Sequence, residues 1–536
     1  MVQGLARQPR FCAGLMRSLL NLASVQTLNS GQTKVFAWVL SLAAGLAQAV
    51  SMGTPWDGQP LWWLQVISLG ALAWQLNRLA DWRVAAIHGL LFATAWLTGT
   101  FWWLFISMHT FGGLPAWLSA VAVFALAGIL ALYYALACGI YVAIAPRSKA
   151  WGAVLFAEFW LLAELARGQW FTGFGWGGAG YAHADGALAG YAPWLGVYGM
   201  SAIAAWLAIS LSRLRGSSHW QRAAVFLVAV LPVLSQWSGA EWSSPAGRLQ
   251  VTLLQGNIPQ NEKFQQGSGV PQALNWYAEQ LGKNNSSLVV APETALPLLQ
   301  QQLPEGYWDA LVKRYASGDQ AALIGLPLGS YTAGYTNSVV GLKPAQSTVW
   351  QYDKHHLVPF GEFIPPFFKW FTELMNIPLG DFNRGGLGQA SFEWQGQRLA
   401  ANICYEDLFG EELGARFIQP DAAPTIFVNV SNIAWFGNTV AIDQHLQISR
   451  LRALEFSRPF VGATNTGATV IIDHQGRVTA QLPRYIQGVL TGEVQGRSGV
   501  TPYAWWVSRF GLWPLWLIAF GVLLLAWRQH RKISGC

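Results

Sequence analysis

Long apolar stretches fill the first 238 residues and return once near the C-terminus. Each is close to the roughly 20 residues that a helix needs to cross the hydrocarbon core of a bilayer. The pattern therefore predicts about eight transmembrane helices, a polytopic membrane domain whose segments are residues 35–53, 60–77, 84–107, 115–145, 150–167, 189–212, 223–238 and 510–527.

Residues 240–503 follow a different pattern, in which short β-rich apolar runs alternate with helical patterns. Strands with intervening helices over a region of this length indicate one α/β domain. The predicted strands are residues 249–254, 288–291, 322–325, 348–352, 399–403, 425–430, 460–464 and 468–472, and the predicted helices are 271–282, 306–316 and 436–457.

Basic residues occur on alternate sides of the predicted spans, which is the positive-inside pattern of membrane proteins. The opposite loops, near 54–59, 108–114 and 168–188, contain no Lys, and no Arg beyond the boundary residue Arg167. Buried helices of a soluble protein would not produce this alternation. It predicts cytoplasmic termini, with residues 1–34 as a cytoplasmic extension, and places 240–503 on the far side of the membrane. The basic loop residues are Arg7, Arg10, Arg17, Lys34, Arg78, Arg83, Arg147, Lys149, Arg213, Arg215, Arg222, Arg528, Arg531 and Lys532.

Composition supports a mixed chain. Of 536 residues, 53% are hydrophobic and 11% are charged, whereas soluble domains average about 25% charged. The net charge is +7, but residues 240–503 hold 17 Lys and Arg against 21 Asp and Glu. The excess of positive charge thus belongs to the membrane part and does not indicate a nucleic-acid partner. Four scattered cysteines without a C-x-x-C pair predict neither a disulfide framework nor a metal site.

Cys404 is the first candidate for chemistry. It ends the apolar run 399–403 and is followed by Tyr405 and Glu406. A strand-to-loop turn of this kind can expose a thiol and direct backbone N–H groups towards one point, as a nucleophile with an oxyanion hole requires. A buried core cysteine is an equally good interpretation of this residue alone.

Two further polar residues follow predicted strands. Glu293 ends the run 288–292, where burial would raise the pKa of its carboxyl towards that of a general base. Lys354 begins a polar segment after 348–352, and a fixed ammonium there could stabilise a tetrahedral intermediate. A solvated carboxylate and an ordinary surface lysine are the alternatives.

A Glu, a Lys and a Cys in this order resemble the carbon–nitrogen hydrolase (nitrilase) superfamily, and the local sequences are similar to the apolipoprotein N-acyltransferases of Gram-negative bacteria. The resemblance covers about residues 35–527. The segments that carry it are 254–260, 292–293, 356–362, 403–406, 431–437, 452–455, 464–465 and 501–503, with 110–113 and 164–174 in the membrane part.

This resemblance implies a nitrilase-like αββα sandwich in the periplasm (240–503), carried by transmembrane helices 1–7 (35–238) and by helix 8 with a cytoplasmic tail (504–536). It implies Glu293 as general base, Lys354 as stabiliser of the tetrahedral intermediate and Cys404 as nucleophile. We expect no cofactor, and because no His, Asp and Glu cluster has the spacing of metal ligands, we expect no metal. The site-supporting positions are Glu362, Tyr405 (through its backbone N–H) and Glu406.

The implied reaction moves a fatty acyl chain from a phospholipid, through a Cys404 thioester, to the α-amino group of the diacylglyceryl-cysteine of an apolipoprotein. This is the last step of lipoprotein maturation at the bacterial inner membrane, and we expect a monomer. The sequence departs from the family at Ala291 and Phe264, where tryptophan is common, and at Ile433, where aspartate is usual. These changes concern the acyl pocket.

An aromatic segment directly after Glu362, residues 363–371, contains two adjacent prolines and predicts a lid that contacts the bilayer interface. A core segment is the alternative. The candidate lipid-binding residues are Phe264, Phe367, Phe368, Trp370 and Trp435.

Three other functions compete with acyl transfer. A membrane-tethered amidase would use the same triad with water as acceptor. A transporter with a periplasmic binding domain would need intramembrane charges, for which only Glu158 and Glu164 are plausible. A Cys–His protease could draw on His355, His356 or His445, although single histidines are more often structural.

Overall fold

The computed structural model describes residues 31–144, 148–237, 241–345, 348–364 and 381–534. Several residues singled out above lie outside these ranges, and their predicted roles stay predictions. They are Arg7, Arg10, Arg17, Arg147, Phe367, Phe368 and Trp370.

Long apolar helices form a bundle, here called the base, from the first 237 residues and the C-terminal segment. Each predicted span is mostly helical, with ends that differ by a few residues. The base helices are α1 (Gly31–Ser51), α2 (Trp62–Leu76), α3 (Trp82–Thr100), α4 (Ala116–Ile144), α5 (Lys149–Gln169), α6 (Ala192–Ser212) and α7 (His219–Trp237), and at the C-terminus α12 (Pro502–Phe510) and α13 (Trp513–Ser534).

The count of eight spans is not confirmed. Among the described residues, three helices are long and apolar enough to cross a membrane, and two bent pairs raise the number to at most five. One pair is α3 with the short helical segment 104–111, at 61°, and the other is α12 with α13, at 86°. α2 has only 15 residues, and α5 contains two acids and two bases.

Within the described ranges, twelve strands form two six-stranded sheets. The first has the order β12-β1-β2-β3-β4-β5 and the second β11-β10-β9-β8-β7-β6. Their bounds are β1 (Ser244–Gln255), β2 (Leu288–Val290), β3 (Ala321–Ser330), β4 (Gly334–Leu342), β5 (Trp350–Asp353), β6 (Phe392–Trp394), β7 (Gln397–Ile403), β8 (Ile426–Ser431), β9 (Phe460–Thr464), β10 (Val470–Ile472), β11 (Val478–Gln481) and β12 (Gly488–Ser498).

All eight predicted strands are present, and four more were not predicted: β4, β6, β11 and β12. The predicted helices correspond to α8 (Gly269–Lys283), α9 (Tyr307–Ser317) and α11 (Ala441–Phe456), and a short α10 (Gly410–Gly414) lies before β8. Shorter 3-10 turns occupy 170–172, 179–183, 189–191, 300–302, 404–408, 415–417, 420–422 and 433–436.

Alternating side chains build the layers between and outside the sheets. In β7, Leu399 and Ala401 pack between the two sheets, whereas Ala400 faces the other way. α8 and α9 cover the first sheet. The second sheet is covered by α11 and by the base, because one hydrophobic core runs from the face of β8 and β9 into the helices α3 to α6. The result is an αββα arrangement whose last layer is shared with the base.

Buried polar contacts fix this junction. The Gln444 side chain of α11 accepts hydrogen bonds from the indole N–H groups of Trp103 (3.1 Å) and Trp176 (2.8 Å), and donates to the Thr100 carbonyl (3.0 Å). α6 is interrupted at Gly196, where φ is +64°, and the Val197 N–H donates to Glu455 at 2.7 Å. The two parts therefore meet through buried hydrogen bonds as well as apolar contacts.

Candidate active site

Cys404 lies immediately after β7, at the start of the 3-10 turn Cys404–Leu408. Its φ is +54°, a left-handed conformation that is rare for a residue with a Cβ and that collects at functional sites. The Cys404 carbonyl oxygen accepts hydrogen bonds from Asn429 Nδ2 (3.0 Å) and His445 Nε2 (3.3 Å). These contacts hold the turn, so that the thiol stands at the end of a rigid strand.

Glu293 follows β2 and is buried. Its Oε1 accepts a hydrogen bond from Asn337 Nδ2 at 2.7 Å, and its Oε2 accepts one from the Asn432 backbone N–H at 2.8 Å. Hydrogen bonds donated to both oxygens fix the orientation of the carboxylate. A fixed carboxylate of this kind is suited to accept a proton.

Lys354 follows β5 and is held between two carboxylates. Its Nζ lies 2.9 Å from Glu362 Oε1 and 3.6 Å from Glu293 Oε1. Burial lowers the pKa of Lys354, but the charges of Glu362 and Glu293 outweigh burial and leave the pKa above its usual value. Lys354 therefore remains an ammonium in the site, and Glu362 is the residue that fixes its position.

Burial raises the pKa of the Cys404 thiol to about 12, and the negative charge of Glu293 adds to this effect, whereas Lys354 opposes it. The three predicted catalytic side chains are thus close enough to influence one another. Because the thiol is protonated at neutral pH, the nucleophile needs a base to remove its proton during attack.

Glu406 connects the Cys404 turn to the Lys354 segment. Its carboxylate accepts hydrogen bonds from the backbone N–H groups of Ile403 (2.6 Å) and His355 (2.7 Å), and from the Tyr352 hydroxyl (2.9 Å). Tyr405 points its hydroxyl into the base, where it donates to the Gly173 carbonyl at 3.0 Å. The role of the Tyr405 backbone N–H in an oxyanion hole stays a prediction.

His445 contacts the backbone of Cys404. Its Nε2 faces the Cys404 carbonyl and lies 3.2 Å from Asp407 Oδ1. His356 Nδ1 faces Glu412 at 2.8 Å, and His355 Nδ1 faces the Gly385 carbonyl at 2.8 Å. Each of the three histidines thus has a structural partner, and the charges that act on the Cys404 thiol include those of Glu293 and Lys354.

Sequence reasoning missed several residues of the site. Lys263 is buried, and its Nζ donates to the Glu293 carbonyl at 3.0 Å. Asn337 lies on β4, a strand that was not predicted, and donates to Glu293 and to Glu362. The strand that carries Asn337 lacks a pronounced apolar pattern, so the sequence did not predict it. Lys263 directly precedes Phe264, a candidate lipid-binding residue, and could have been proposed as a site residue for that reason.

Two candidate lipid-binding residues lie within the described residues. Phe264 and Trp435 are both partly buried. The Trp435 ring packs edge-on against Phe111 of the base, with ring centroids 5.9 Å apart. Trp435 thus lies where the α/β domain meets the bundle.

Comparison with known proteins accounts for both parts of the chain. The model of the apolipoprotein N-acyltransferase N-terminal domain matches residues 28–210, and the carbon–nitrogen hydrolase model matches residues 250–503. Among solved structures, a carbon–nitrogen hydrolase from Helicobacter pylori G27 is similar at 17% identity and a TM-score of 0.34, covering 51% of this chain and 94% of that one.

Curated relatives match over nearly the full length. The apolipoprotein N-acyltransferase of Verminephrobacter eiseniae (strain EF01-2) is 58% identical, with 89% of this chain and 94% of the relative covered. That of Ralstonia nicotianae (strain ATCC BAA-1114 / GMI1000) is 45% identical, with 88% and 90% covered. With this identity and coverage, the chain belongs to the apolipoprotein N-acyltransferase family.

Proposed function

We propose that this protein acylates the α-amino group of the diacylglyceryl-cysteine at the N-terminus of apolipoproteins, with a phospholipid as acyl donor and Cys404 as the covalent carrier. The observation that carries the proposal is the arrangement of Glu293, Lys354 and Cys404 at the ends of β2, β5 and β7. The domain that holds them shares its core with apolar helices, as substrates embedded in lipid require.

In the first half-reaction, Glu293 accepts the proton of the Cys404 thiol as sulfur attacks the ester carbonyl of the phospholipid. A carbon–sulfur bond forms, and the Lys354 ammonium stabilises the oxyanion. The bond to the glycerol oxygen then breaks, and Glu293 returns its proton to that oxygen. The products are lysophospholipid and a Cys404 thioester.

In the second half-reaction, the neutral amine of the acceptor attacks the thioester carbonyl. A carbon–nitrogen bond forms, Glu293 accepts a proton from nitrogen, and the carbon–sulfur bond breaks. The proton returns to the Cys404 sulfur and restores the free enzyme. Thioesters react readily with amines, so transfer wins over hydrolysis when the site excludes water.

The topology belongs to the same proposal. We assign residues 240–503 to the periplasm, carried by 35–238 and by the last helix in 504–536, with both termini in the cytoplasm of a monomeric inner-membrane protein. The alternation of basic loops supports this orientation. Phe264, Trp435 and the aromatic segment with Phe367, Phe368 and Trp370 are proposed to contact the lipid substrates.

The test is intact-protein mass spectrometry of the purified full chain in detergent after incubation with a phospholipid. Wild type is expected to gain one acyl mass on Cys404, and a diacylated lipopeptide amine should remove it. Cys404→Ser should not form the thioester. Cys138→Ser is the matched control, because Cys138 is the other described cysteine and lies buried in α4 of the base.

Glu293→Gln and Lys354→Met should each slow acyl-enzyme formation by about a thousandfold or more. An adduct elsewhere, or full lipopeptide acylation by Cys404→Ser, would refute the assignment. Release of free fatty acid in place of acylated lipopeptide would favour the membrane-tethered hydrolase.

A further inference from the structure

The end of β8 lies beside the Cys404 turn. β7 and β8 run parallel, and the last residue pair of their ladder joins Ile403 to Val430. Cys404 and Ser431 are therefore the next residue on each strand. On its other side, Ser431 pairs with Thr464 of β9. The ladder thus places a serine next to the proposed nucleophile, between two neighbouring strands that fix its position.

The hydroxyl of Ser431 is a buried polar group that the fold leaves without a use. The residue is 0% exposed, and its Oγ has no nitrogen or oxygen partner among the residues that the structure describes. Such groups are rare, because a buried hydroxyl without a partner costs stability. The group on which this hydroxyl acts is the Cys404 thiol. Burial and the charge of Glu293 raise the pKa of that thiol, whereas the charge of Lys354 and a hydrogen bond from Ser431 lower it.

The residue after Ser431 contacts the proposed base. The Asn432 backbone N–H donates to Glu293 Oε2 at 2.8 Å. The Asn432 side chain is held by hydrogen bonds with Gln260 (2.8 Å) and Asn465 (3.1 Å), and the Asn465 N–H donates to the Ser431 carbonyl at 3.0 Å. Two consecutive residues therefore contact the two groups between which the proton of the first half-reaction moves.

We propose that Ser431 is a further catalytic residue, which donates a hydrogen bond to the Cys404 sulfur when that sulfur becomes negative. The inference rests on the acyl transfer proposed above. Sulfur gains charge as Glu293 removes its proton, and again as the carbon–sulfur bond of the thioester breaks. A hydrogen bond to a charged acceptor is stronger than one to a neutral thiol or thioester, so it lowers both barriers relative to the resting states. Ser431 keeps its own proton throughout.

The test is the alkylation of Cys404 by iodoacetamide, a small soluble electrophile that needs no lipid. The thiolate is the reacting form, so the rate in the purified full chain between about pH 7 and 9 reports ionisation of the thiol. Peptide mass spectrometry measures the rate at Cys404. Ser431→Ala should slow it about threefold, because fewer thiols are ionised while each thiolate is only somewhat more reactive.

The same substitution should slow both half-reactions. In Ser431→Ala, acyl-enzyme formation from a phospholipid and its discharge by a diacylated lipopeptide amine should each become about tenfold slower, as for one hydrogen bond to a charged group. Thermal unfolding in detergent should show that the variant is folded like wild type, since alanine fits the space of a buried serine.

Ser243→Ala is the matched control, because Ser243 is also buried and its hydroxyl contacts Ser457 at 2.9 Å and Arg497 at 3.0 Å. Its alkylation and acylation rates should equal those of wild type. Equal alkylation of Ser431→Ala and wild type would overturn the role of Ser431, even if acylation were slower, and would leave the acyl-transfer proposal standing. Absence of an acyl-enzyme in wild type would instead refute the acyl transfer itself, and with it the role of Ser431 in that reaction.

Discussion

Two buried lysines lie near Glu293, and their surroundings give them opposite titration behaviour. Lys354 sits between two carboxylates, so its pKa is raised. Lys263 meets a backbone carbonyl, and burial lowers its pKa to about 7, although Glu293 and Cys404 oppose that shift. Near neutral pH, Lys263 therefore changes its charge easily, and that charge acts on Glu293 and Cys404, the proposed base and nucleophile.

We predict that Lys263→Met slows acyl-enzyme formation about tenfold, which corresponds to about 1.4 kcal/mol of barrier. The rate of wild type should fall as pH rises above about 7, because Lys263 then loses the charge that favours the thiolate. Lys263→Arg should keep its rate at high pH. The measurement is the rate of acyl-enzyme formation, monitored by mass spectrometry over a range of pH, for wild type, Lys263→Met and Lys263→Arg.

Lys313→Met is the control for this prediction, because Lys313 is an exposed lysine on α9. Its rate and pH profile should match wild type. If Lys263→Met also matches wild type, the buried ammonium contributes only to packing.

His445 is a second buried group with a shifted pKa, and its protonation affects the stability of the folded state. Burial lowers the pKa of His445, but the charge and hydrogen bond of Asp407 outweigh burial and leave the pKa above the usual 6.5. Its protonated form therefore stabilises the folded state below about pH 6.5. This contribution is lost as pH rises through the higher folded-state pKa.

His445→Gln should consequently lower the Tm most at acidic pH, and its difference from wild type should shrink as the pH is raised. Thermal unfolding in detergent from about pH 5.5 to 9 tests the trend. His474→Gln is the comparison, since burial lowers the pKa of the partly exposed His474. A difference for His445→Gln that grows with pH would contradict the assignment of a protonated histidine.

The three residues proposed for catalysis, Glu293, Lys354 and Cys404, could be singled out from sequence because each follows an apolar run and they occur in a recognisable order. The groups that orient them were not. Asn337 reaches Glu293 from a strand with a half-polar pattern, and Asn432 uses its backbone N–H. A contact made by main-chain atoms leaves no trace in residue type, so it requires the fold.

At the level of elements, the helices of the base pack closely through small residues. A Cβ added at Gly45 of α1 would lie 2.2 Å from the Phe92 carbonyl oxygen of α3. At Gly128 of α4, the same addition meets nothing within 4 Å. Close packing therefore requires a residue without a side chain at Gly45 but not at Gly128, and the two positions can be compared directly.

Gly45→Ala should destabilise the folded protein by about 1–3 kcal/mol, as overpacking does. Gly128→Ala should be neutral or slightly stabilising, because alanine restricts the unfolded chain. Thermal unfolding in detergent compares the two. An equal effect of both substitutions would show that α1 and α3 are not in close contact.

The accuracy of the sequence prediction also differs between elements. Apolar runs located α1 to α7 within a few residues, since continuous hydrophobicity is a strong signal. The sequence predicted one continuous span over 84–107, because α3 and the segment 104–111 are both apolar. The bend between them could not be predicted from hydrophobicity. β12 was not predicted because it has no apolar run: its central residues alternate between partly buried and exposed.

At the level of the whole molecule, the junction depends on Gln444, which satisfies two buried indole N–H groups. Gln444→Leu would keep the volume but leave the N–H groups of Trp103 and Trp176 without their acceptor. We expect a loss of about 1–3 kcal/mol for each unsatisfied group. Hydrogen exchange should become faster in α11 and at the end of α3.

Gln272→Leu is the control, because Gln272 is exposed on α8, in the layer farthest from the base. Its exchange rates and Tm should equal those of wild type. Unchanged exchange in Gln444→Leu would mean that apolar contacts alone hold the junction.

The core that runs from the second sheet into the base has a consequence for biosynthesis. Phe427 and Phe460 share that core with Tyr503 of α12, and the Phe456 ring packs edge-on against Tyr503. α12 and α13 are synthesised after every strand of the domain. During translation, α11 and the earlier base helices can cover most of the outer face of the second sheet, but the part around Phe456 stays open until Tyr503 of α12 has been synthesised. A nascent chain halted before α12 would therefore present an apolar surface around Phe456 to chaperones and proteases.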